Sequence, residues 1–256
     1  MSPLELSEKT FLVVGSTSGI GKATALALHE RGATVFIHGP EQKPHEHIAE
    51  LISSSSRFHY IGGDLASDQE LKGVVSAITN KVSGLDGLVY AAAVTSHIEW
   101  EKLSIQEWDR VLRINTSAFL LISQGCAPLL RESKGSIVAI SSTNAERVNH
   151  KNMAYDVSKA ALNHLIRALA LELKDDGVRV NGVAPGGVDT PLLREWLVDY
   201  AGSQDKATQV LEESKSKGAV AKPESIADVI LFLLSNQAHW ITGDIITADF
   251  GASLHN

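Results

Sequence analysis

The 256-residue chain contains a single cysteine, Cys126, so it cannot form an internal disulfide bond. Such a composition is typical of proteins that fold in a reducing compartment. Basic residues are in the minority, because 23 Lys and Arg stand against 30 Asp and Glu and give a formal net charge of −7. No run of basic residues interrupts this balance, so neither a nucleic acid nor an anionic membrane is expected as the main partner.

Long apolar stretches are missing as well. No uninterrupted apolar run approaches the ~18 residues that a membrane-spanning helix needs. The polar stretch Met1 to Thr10 also lacks the apolar core of a signal peptide. We therefore expect a cytoplasmic protein without a membrane partner. With 44% hydrophobic residues, the chain can still bury a substantial core.

Short apolar runs alternate with amphipathic stretches along the chain. Strands are expected near residues 11–14, 34–38, 57–61, 85–93, 136–140, 178–184 and 245–248, with helical segments between them. This alternation predicts an α/β fold in which residues 1–256 form one domain with a doubly wound parallel sheet of about seven strands and helices on both faces. The segment 190–217 is amphipathic but irregular, and we expect it to be a lid over a substrate.

A glycine-rich turn follows the first strand. Gly15, Gly19 and Gly21 are spaced GxxxGxG and lead into a helix. Glycines let the backbone approach a pyrophosphate, and the N-terminus of a helix attracts anions, so this turn predicts a dinucleotide site. An ordinary glycine-rich turn is the alternative. Asp64 ends the third strand, where it is expected either to bind an adenine amino group or to cap the next helix.

Tyr155 and Lys159 are four residues apart and share one face of a helix with an apolar stripe. An ammonium beside a phenol lowers the pKa of the phenol, so Tyr155 is a candidate proton donor or acceptor near neutral pH. A solvated Tyr and Lys on a surface helix is the alternative. Ser142 ends the fifth strand, at the edge where ligands of α/β proteins bind. His45 and His47 lack companion ligands, so a solvated loop is expected there and no metal site.

The set Gly15-xxx-Gly19-x-Gly21, Asn115, Ser142, Tyr155-xxx-Lys159 and Pro185-Gly186 resembles the short-chain dehydrogenase/reductase family, from about Thr10 to about Gly251. The resemblance implies a Rossmann-type fold and an NAD(P)-dependent oxidoreductase that interconverts a secondary alcohol and a ketone. Tyr155 would be the general acid/base, Lys159 would lower its pKa and bind the nicotinamide ribose, Ser142 would hold the substrate oxygen, and Asn115 would keep a water beside Lys159. A redox-neutral epimerase or dehydratase, and a regulatory nucleotide-binding protein without turnover, are the alternatives.

The resemblance also implies a set of cofactor contacts, and polar loop residues are expected to line the substrate pocket. The cofactor is expected to contact Gly15, Ser16, Ser18, Gly19, Ile20, Gly21, His38, Gly39, Asp64, Leu65, Ala92, Tyr155, Lys159, Pro185, Gly186, Val188 and Thr190. The substrate is expected to contact Ser142, Asn144, His150, Tyr155 and Trp196, with Thr95, Ser96, His97 and Glu146 nearby.

The end of the second strand should select between NAD and NADP. It has no acid at Gly39 to hold a ribose hydroxyl and no Arg at Pro40 to hold a phosphate. His38, Lys43 and Ser16 could meet a phosphate, so we expect a slight preference for NADP, with NAD still usable.

In three places the chain departs from the family pattern. Tyr90-Ala91-Ala92-Ala93 replaces the usual Asn-Asn-Ala-Gly, Val14 stands where a Thr often precedes the first Gly, and Asp249-Phe250-Gly251 replaces the usual Asp-Gly-Gly. These changes put the geometry of the cofactor site in question, whereas the four catalytic positions are intact. Two long helices, near residues 108–127 and 153–173, carry apolar or small residues on more than one face. Together with the resemblance, they lead us to expect a homotetramer.

Overall fold

A computed structural model describes residues 6–254, so the two ends of the predicted 1–256 domain lie outside the described residues. The strands are β1 (Thr10–Val14), β2 (Thr34–Gly39), β3 (Phe58–Gly62), β4 (Gly87–Tyr90), β5 (Ser136–Ile140), β6 (Arg179–Pro185), β7 (Gly187–Val188), β8 (Val220–Ala221) and β9 (Ile245–Ala248). Seven of them form a parallel sheet in the order β3-β2-β1-β4-β5-β6-β9. The predicted α/β, doubly wound fold is confirmed.

Helices cover both faces of this sheet. They are α1 (Gly19–Glu30), α2 (Glu46–Ser53), α3 (Asp68–Thr79), α4 (Ile105–Leu112), α5 (Ala118–Ser133), α6 (Met153–Leu173), α7 (Pro191–Ala201), α8 (Gln204–Ser216) and α9 (Pro223–Leu234). Along β1, Leu12 belongs to the apolar cluster under α3, α5 and α6, whereas Val13 belongs to the cluster under α1 and α9. The central strands β1, β4 and β5 are buried on both faces, so they read as nearly continuous apolar runs in the sequence.

The strand order reverses at β1, which lies between β2 and β4. Chains that leave neighbouring strands in opposite directions open a crevice at the carboxyl ends of those strands, and ligands of α/β sheets bind there. The turns after β1, β4 and β5 therefore meet at one place, which the sequence had marked with Gly15, Ala92 and Ser142.

The expected long helix after Ser104 is not continuous. A π-helical turn, Arg113–Ser117, separates α4 from α5, and the N–H of Ala118 donates to the carbonyl of Arg113. Asn115 lies in this turn and is completely buried. Such one-turn widenings cost stability in a helix and are frequent at functional sites.

The segment 190–217 is more regular than its sequence indicated, because it forms α7 and α8. Thr190 caps α7 by accepting a hydrogen bond from the N–H of Leu193, and Gly202 ends that helix in the left-handed conformation. The two helices pack on each other through a small apolar cluster of their own, centred on Leu197 and Leu211. The expectation of an irregular segment was wrong, whereas its role as a lid stays a prediction. No helix within residues 6–254 is both long and apolar enough to cross a membrane.

Candidate active site

A cavity of about 520 Å³ opens at the carboxyl ends of the central strands. Most of the residues expected to contact cofactor or substrate line it: Gly15, Ser18, Gly19, Ile20, Gly21, His38, Asp64, Leu65, Ala92, Ser142, Asn144, Tyr155, Lys159, Pro185, Gly186, Val188, Thr190 and Trp196. Ser16, Gly39, Asn115 and His150 are not part of this lining. The fold thus brings residues from six loops to one cavity.

The glycines of the first turn are required by close backbone contacts. Gly15 has a φ of +74°, and a Cβ there would lie 2.5 Å from the backbone of Ala92. A Cβ at Gly21 would lie 2.2 Å from the carbonyl oxygen of Gly15. The missing side chains let α1 begin directly against the end of β1, so its N-terminus forms part of the cavity wall.

The N-terminus of α1 suits an anion. Its N-cap residue, Ser18, makes no side-chain capping hydrogen bond, and the first turn contains no acidic side chain. The N–H groups of this turn therefore keep their capacity to donate, and the helix dipole adds partial positive charge. Because Ser18, Gly19, Ile20 and Gly21 line the cavity, the pyrophosphate of a dinucleotide fits this end of it.

Two expected phosphate donors are occupied inside the protein. The hydroxyl of Ser16 donates to the carbonyl of Val13 and accepts from the N–H of His38, and Ser16 has no exposed surface. The Nδ1 of His38 accepts from the N–H of Gly15 at 3.2 Å, and its Nε2 lies 3.0 Å from the carbonyl oxygen of Gly63. This pattern requires a neutral imidazole protonated on Nε2. The expectation that Ser16 or His38 meets a phosphate was therefore wrong.

Burial is the main reason that the pKa of His38 falls from 6.5 to about 4. Through its hydrogen bonds to Gly15 and Gly63, the His38 ring at the end of β2 connects the turns after β1 and β3. It also forms an uncharged part of the cavity wall. Gly39, a member of the expected cofactor set, is buried and is not part of the cavity lining. A Cβ there would lie 2.6 Å from the side chain of Thr17. The exposed Pro40 lines the cavity instead.

We expect His38 to make the protein less stable as the pH falls from 6.5 to 4. In that window the imidazole of His38 becomes protonated in the unfolded chain but stays neutral in the native protein. The free energy of unfolding therefore decreases as the pH falls, by up to about 3 kcal/mol. Urea unfolding of the wild type and of His38→Gln across this range measures the effect, since the variant should lose that part of the slope. His164→Gln, at an exposed position, serves as the control. Equal slopes for the wild type and His38→Gln would contradict the proposed role of the buried ring.

The structure excludes one of the two readings of Asp64, the one in which it caps a helix. Helix α3 is capped by Ser67, whose hydroxyl accepts from the N–H of Glu70, so Asp64 is not the cap. One carboxylate oxygen of Asp64 accepts from the N–H of Ala66 at 2.9 Å, and the side chain is exposed at the cavity wall. It is therefore available to a ligand that carries a hydrogen-bond donor, such as an adenine amino group.

Tyr155 and Lys159 lie on adjacent turns of α6 and line the same cavity. The Nζ of Lys159 is 5.6 Å from the centre of the Tyr155 ring and donates to the carbonyl oxygen of Ile140 at 2.8 Å. Ser142 forms a hydrogen bond with the phenol, and its oxygen also accepts from the N–H of Asn144 at 3.1 Å. A phenol, an amine and a hydroxyl thus converge at the end of β5.

The expected lowering of the Tyr155 pKa is not observed in this structure. Burial raises the pKa of Tyr155 to about 12, although the hydrogen bond from Ser142 acts in the opposite direction. Burial also lowers the pKa of Lys159 to about 7, so the amine carries only part of a charge at neutral pH. The two groups therefore begin as a protonated phenol and a readily deprotonated amine, which suits proton donation by Tyr155 to a substrate oxygen.

Asn115 supports the site from behind the cavity wall. Its amide accepts from the N–H of Val94 and donates to the carbonyl of Val94, both at 2.9 Å, and it also donates to the hydroxyl of Ser158. The phenol of Tyr90 donates to the carbonyl of Ile114, the residue before Asn115. Tyr90 thus braces the end of β4 against the π-helical turn where the family pattern has an asparagine.

The substrate end of the cavity differs in part from the expected set. Asn144, Trp196 and Thr95 line it, whereas Glu146 and His150 are exposed outside it. Ser96 is buried and outside the lining, and His97 lies behind Trp196, with their ring centres 5.9 Å apart. The sequence-based prediction missed Asn149, Asn152, Leu192 and Leu193, which also line the cavity. Asn152 had a usable signal, since it stands at the N-cap position of α6.

A metal ion is not expected at this site on the geometry of its side chains. Within residues 6–254, no group of three His, Cys, Asp or Glu side chains is close enough to hold one. His45 is paired instead with the carboxylate of Glu41, at 3.1 Å.

The fold and the cavity, together with relatives named as dehydrogenases and reductases, define an enzyme that acts on CH–OH groups. A family model described as enoyl-(acyl carrier protein) reductase matches residues 14–253, and the chain belongs to the short-chain dehydrogenase/reductase family. Members of this family use NAD or NADP, and the site as described fits such a cofactor.

Individual relatives differ in their named substrates. The chain is 33% identical over 251 residues to a 3-oxoacyl-[acyl-carrier-protein] reductase of Aquifex aeolicus, covering 97% of this chain and 98% of that one. It is 31% identical to a glucose 1-dehydrogenase of Gluconobacter oxydans, covering 96% and 92% of the two chains. The structure of L-sorbose reductase from Gluconobacter frateurii, complexed with NADPH and L-sorbose, matches with a TM-score of 0.87 and 25% identity, covering 96% and 97%.

Proposed function

We propose that this protein is an NAD(P)-dependent oxidoreductase that interconverts a secondary alcohol and a ketone. The observation that carries the proposal is the convergence of Tyr155, Ser142 and Lys159 on the cavity that also contains the open N-terminus of α1. One end of this cavity suits a dinucleotide, and the other contains the phenol of Tyr155, a possible proton donor, beside the hydroxyl of Ser142. This combination matches the requirements of carbonyl reduction.

A nicotinamide cofactor, when bound, would supply the hydride that the carbonyl carbon receives in the reducing direction. Tyr155 gives its phenolic proton to the carbonyl oxygen, so the C=O double bond becomes a C–H and an O–H bond. Ser142 orients that oxygen, since its hydroxyl already bonds to the phenol. The phenolate left on Tyr155 then regains a proton, and the oxidation of an alcohol follows the same steps in reverse.

Lys159 and Asn115 act on this proton transfer in the proposal. A proton on Lys159 stabilises the phenolate that forms on Tyr155, and the pKa of Lys159, about 7, allows the amine to pass that proton on. Asn115 lies in the π-helical turn and donates a hydrogen bond to Ser158 of α6. In the proposal it also holds in place a water molecule that connects Lys159 to solvent. Its own hydrogen bonds to Val94 fix that turn against the end of β4.

The proposed reaction is tested by following the absorbance of the reduced nicotinamide with a panel of alcohols and ketones. We expect the absorbance to change in proportion to product. A redox-neutral epimerase or dehydratase would form product without a net change in absorbance. A regulatory nucleotide-binding protein would bind the cofactor and form no product.

We also propose a modest preference for NADP. At the end of β2, Gly39 offers no carboxylate that would repel a phosphate on the adenosine ribose, Pro40 lines the cavity, and His38 is neutral. The carboxylate of Glu41, the next residue, is outside the cavity lining and is paired with His45 at 3.1 Å. The NADPH complex of L-sorbose reductase supports the same choice. Apart from Lys159, which lies beside Tyr155, no Lys or Arg among the described residues lines the cavity, so the preference should be small.

The expected result is a kcat/KM ratio that favours NADP by less than about tenfold, or about 1.4 kcal/mol, on a single substrate. Steady-state kinetics with each cofactor measure it. A preference for NAD of tenfold or more would contradict the proposal, and would mean that Asp64 or a backbone group holds the free ribose.

We further propose a homotetramer in a reducing compartment such as the cytoplasm. Leu120 on α5 and Val157 and Leu171 on α6 are apolar and exposed, the last at 63% of its surface, so these helices offer area for a second copy. Light scattering at micromolar concentration should give four times the chain mass, and Leu171→Glu should reduce it. A monomer mass for the wild type would contradict the assembly.

The single thiol, Cys126, is buried, which is consistent with the proposed reducing compartment.

A further inference from the structure

The carboxylate of Asp156, next to Tyr155 in α6, binds three groups of the loop that leads into this helix. Its Oδ1 accepts from the Nδ2 of Asn144 at 3.0 Å and from the Nδ2 of Asn152 at 2.7 Å. Its Oδ2 accepts from the backbone N–H of Asn149 at 2.8 Å. The side chain is 4% exposed, and no ion pair to it is formed within the described residues. The chemistry of carbonyl reduction does not account for this acid.

The carboxylate fixes which end of the Asn144 amide faces the cavity. A carboxylate only accepts hydrogen bonds, so the amide must direct its nitrogen toward Asp156. Because Asn144 lines the cavity, the carbonyl oxygen Oδ1 is the end of the amide that remains for a ligand. Asn144 also donates its backbone N–H to Ser142, which places this acceptor close to the group that holds the reacting oxygen.

Few charged side chains line the cavity. Among the described residues that line the cavity, Asp64 and Lys159 are the only acidic or basic ones apart from the neutral His38. Asp64 follows β3 at the dinucleotide end, and Lys159 is bound to the carbonyl of Ile140 beside Tyr155. Because Lys159 is the expected partner of Tyr155 and the nicotinamide ribose, a carboxylate or phosphate on the substrate would lose water without gaining a further cation among the described residues of the lining. Amide, hydroxyl and apolar groups would remain: those of Asn144, Asn149, Thr95, Leu192, Leu193 and Trp196.

We propose that Asn144 determines substrate specificity by accepting a hydrogen bond from a hydroxyl beside the reacting carbon, and that Asp156 is the positioning residue that orients it. The substrate class is then an uncharged vicinal diol and the corresponding α-hydroxy ketone. This inference rests on the proposed oxidoreductase function and narrows it. A site that presents an acceptor rejects an analogue without the hydroxyl, because the buried acceptor would be left unpaired.

The test compares two alcohols that differ by one hydroxyl, vicinal cyclohexanediol and cyclohexanol, with acetoacetate as a charged ketone. For the wild type we expect kcat/KM to favour the diol by about tenfold or more, the contribution of one good hydrogen bond. Asn144→Leu should lower kcat/KM for the diol more than that for cyclohexanol, so that the preference is lost. Asn80→Leu, an exposed asparagine after α3, serves as the matched control.

Asp156→Asn tests the positioning role. The new amide both donates and accepts, so it no longer dictates the orientation of Asn144, and the preference for the diol should fall through a higher KM. The double variant Asn144→Leu/Asp156→Asn should be no worse on the diol than Asn144→Leu alone, because both changes remove one interaction. A merely structural role for Asp156 would instead lower kcat on both alcohols and add to the effect of Asn144→Leu. Circular dichroism and thermal unfolding verify that each variant is folded.

Three results would overturn the inference: equal kcat/KM of the wild type on the diol and on cyclohexanol, equal losses on both alcohols in Asn144→Leu, or acetoacetate as the best substrate. The failure of the wider proposal looks different. If no compound changed the nicotinamide absorbance although the cofactor bound, the oxidoreductase function would be wrong, and this inference with it.

Discussion

Replacing Tyr155 with Phe should lower kcat by about 10²–10⁴-fold and leave cofactor affinity almost unchanged. Only the phenolic oxygen exchanges a proton with the substrate in the proposed reaction, and the loss of general acid catalysis typically has this size. The Phe ring keeps the packing of a side chain whose hydroxyl bonds to Ser142. Steady-state kinetics give kcat, and fluorescence titration with the reduced cofactor gives its Kd.

Tyr200→Phe is the matched control for this experiment. Tyr200 lies in the predicted lid, stacks on Trp196 at a centre-to-centre distance of 5.1 Å and is 61% exposed. The change therefore removes a phenol that is not part of the cavity lining. A Tyr155→Phe enzyme that kept most of its kcat would exclude Tyr155 as the proton donor.

Lys159→Met should lower kcat/KM by at least about 10²-fold, because it removes the charge that stabilises the phenolate on Tyr155. Unlike Tyr155→Phe, this variant should also bind the cofactor more weakly, since Lys159 is the proposed partner of the nicotinamide ribose. The same kinetic and fluorescence measurements distinguish the two variants. An unchanged cofactor Kd would contradict the second role of Lys159.

The same substitution should change the pH dependence of stability. Burial lowers the pKa of Lys159 from 10.5 to about 7, so between these values the unfolded chain binds a proton that the native protein lacks. The free energy of unfolding of the wild type should therefore rise with pH across this window, by up to roughly 5 kcal/mol for this group alone. Lys159→Met should lose that rise, as urea unfolding at several pH values would show. Parallel curves for the two proteins would mean that the amine is solvated.

Much of the fold could be predicted because sequence periodicity follows directly from burial. Strands buried on both faces, such as β1 and β5, are continuous apolar runs, and α6 has a stripe of apolar residues at helical spacing. The π-helical turn at Asn115 could not be predicted in this way. It depends on tertiary hydrogen bonds to Val94 and Ser158 that lie far away in the sequence.

Residues of the cavity could be predicted from the sequence where only one residue type can meet a structural requirement. Gly15 and Gly21 are needed for close contacts, and the spacing of Tyr155 and Lys159 places them on one helical face. Polar residues were less predictable, because several partners compete for each of them. His38 was expected to face a phosphate, yet the backbone of Gly15 and Gly63 occupies both ring nitrogens.

Asp156 is a polar residue whose role near the cavity was not predicted from the sequence at all. In the sequence it was one of two residues between Tyr155 and Ser158, without a pattern of its own. In the structure it gathers Asn144, Asn149 and Asn152 beside the cavity. Spacing alone cannot reveal such a cluster, since the loop before α6 has no regular geometry that would relate its residues to the helix.

The central claim is that Tyr155 donates a proton while the nicotinamide is oxidised at the same cavity. The most direct measurement mixes the wild type and reduced NADP with an α-hydroxy ketone in excess and follows nicotinamide absorbance and alcohol formation together. The account predicts that the absorbance falls as alcohol appears, one to one, and that both processes nearly cease in Tyr155→Phe although the cofactor stays bound. Alcohol formed without loss of absorbance, or an equal rate in Tyr155→Phe, would contradict it.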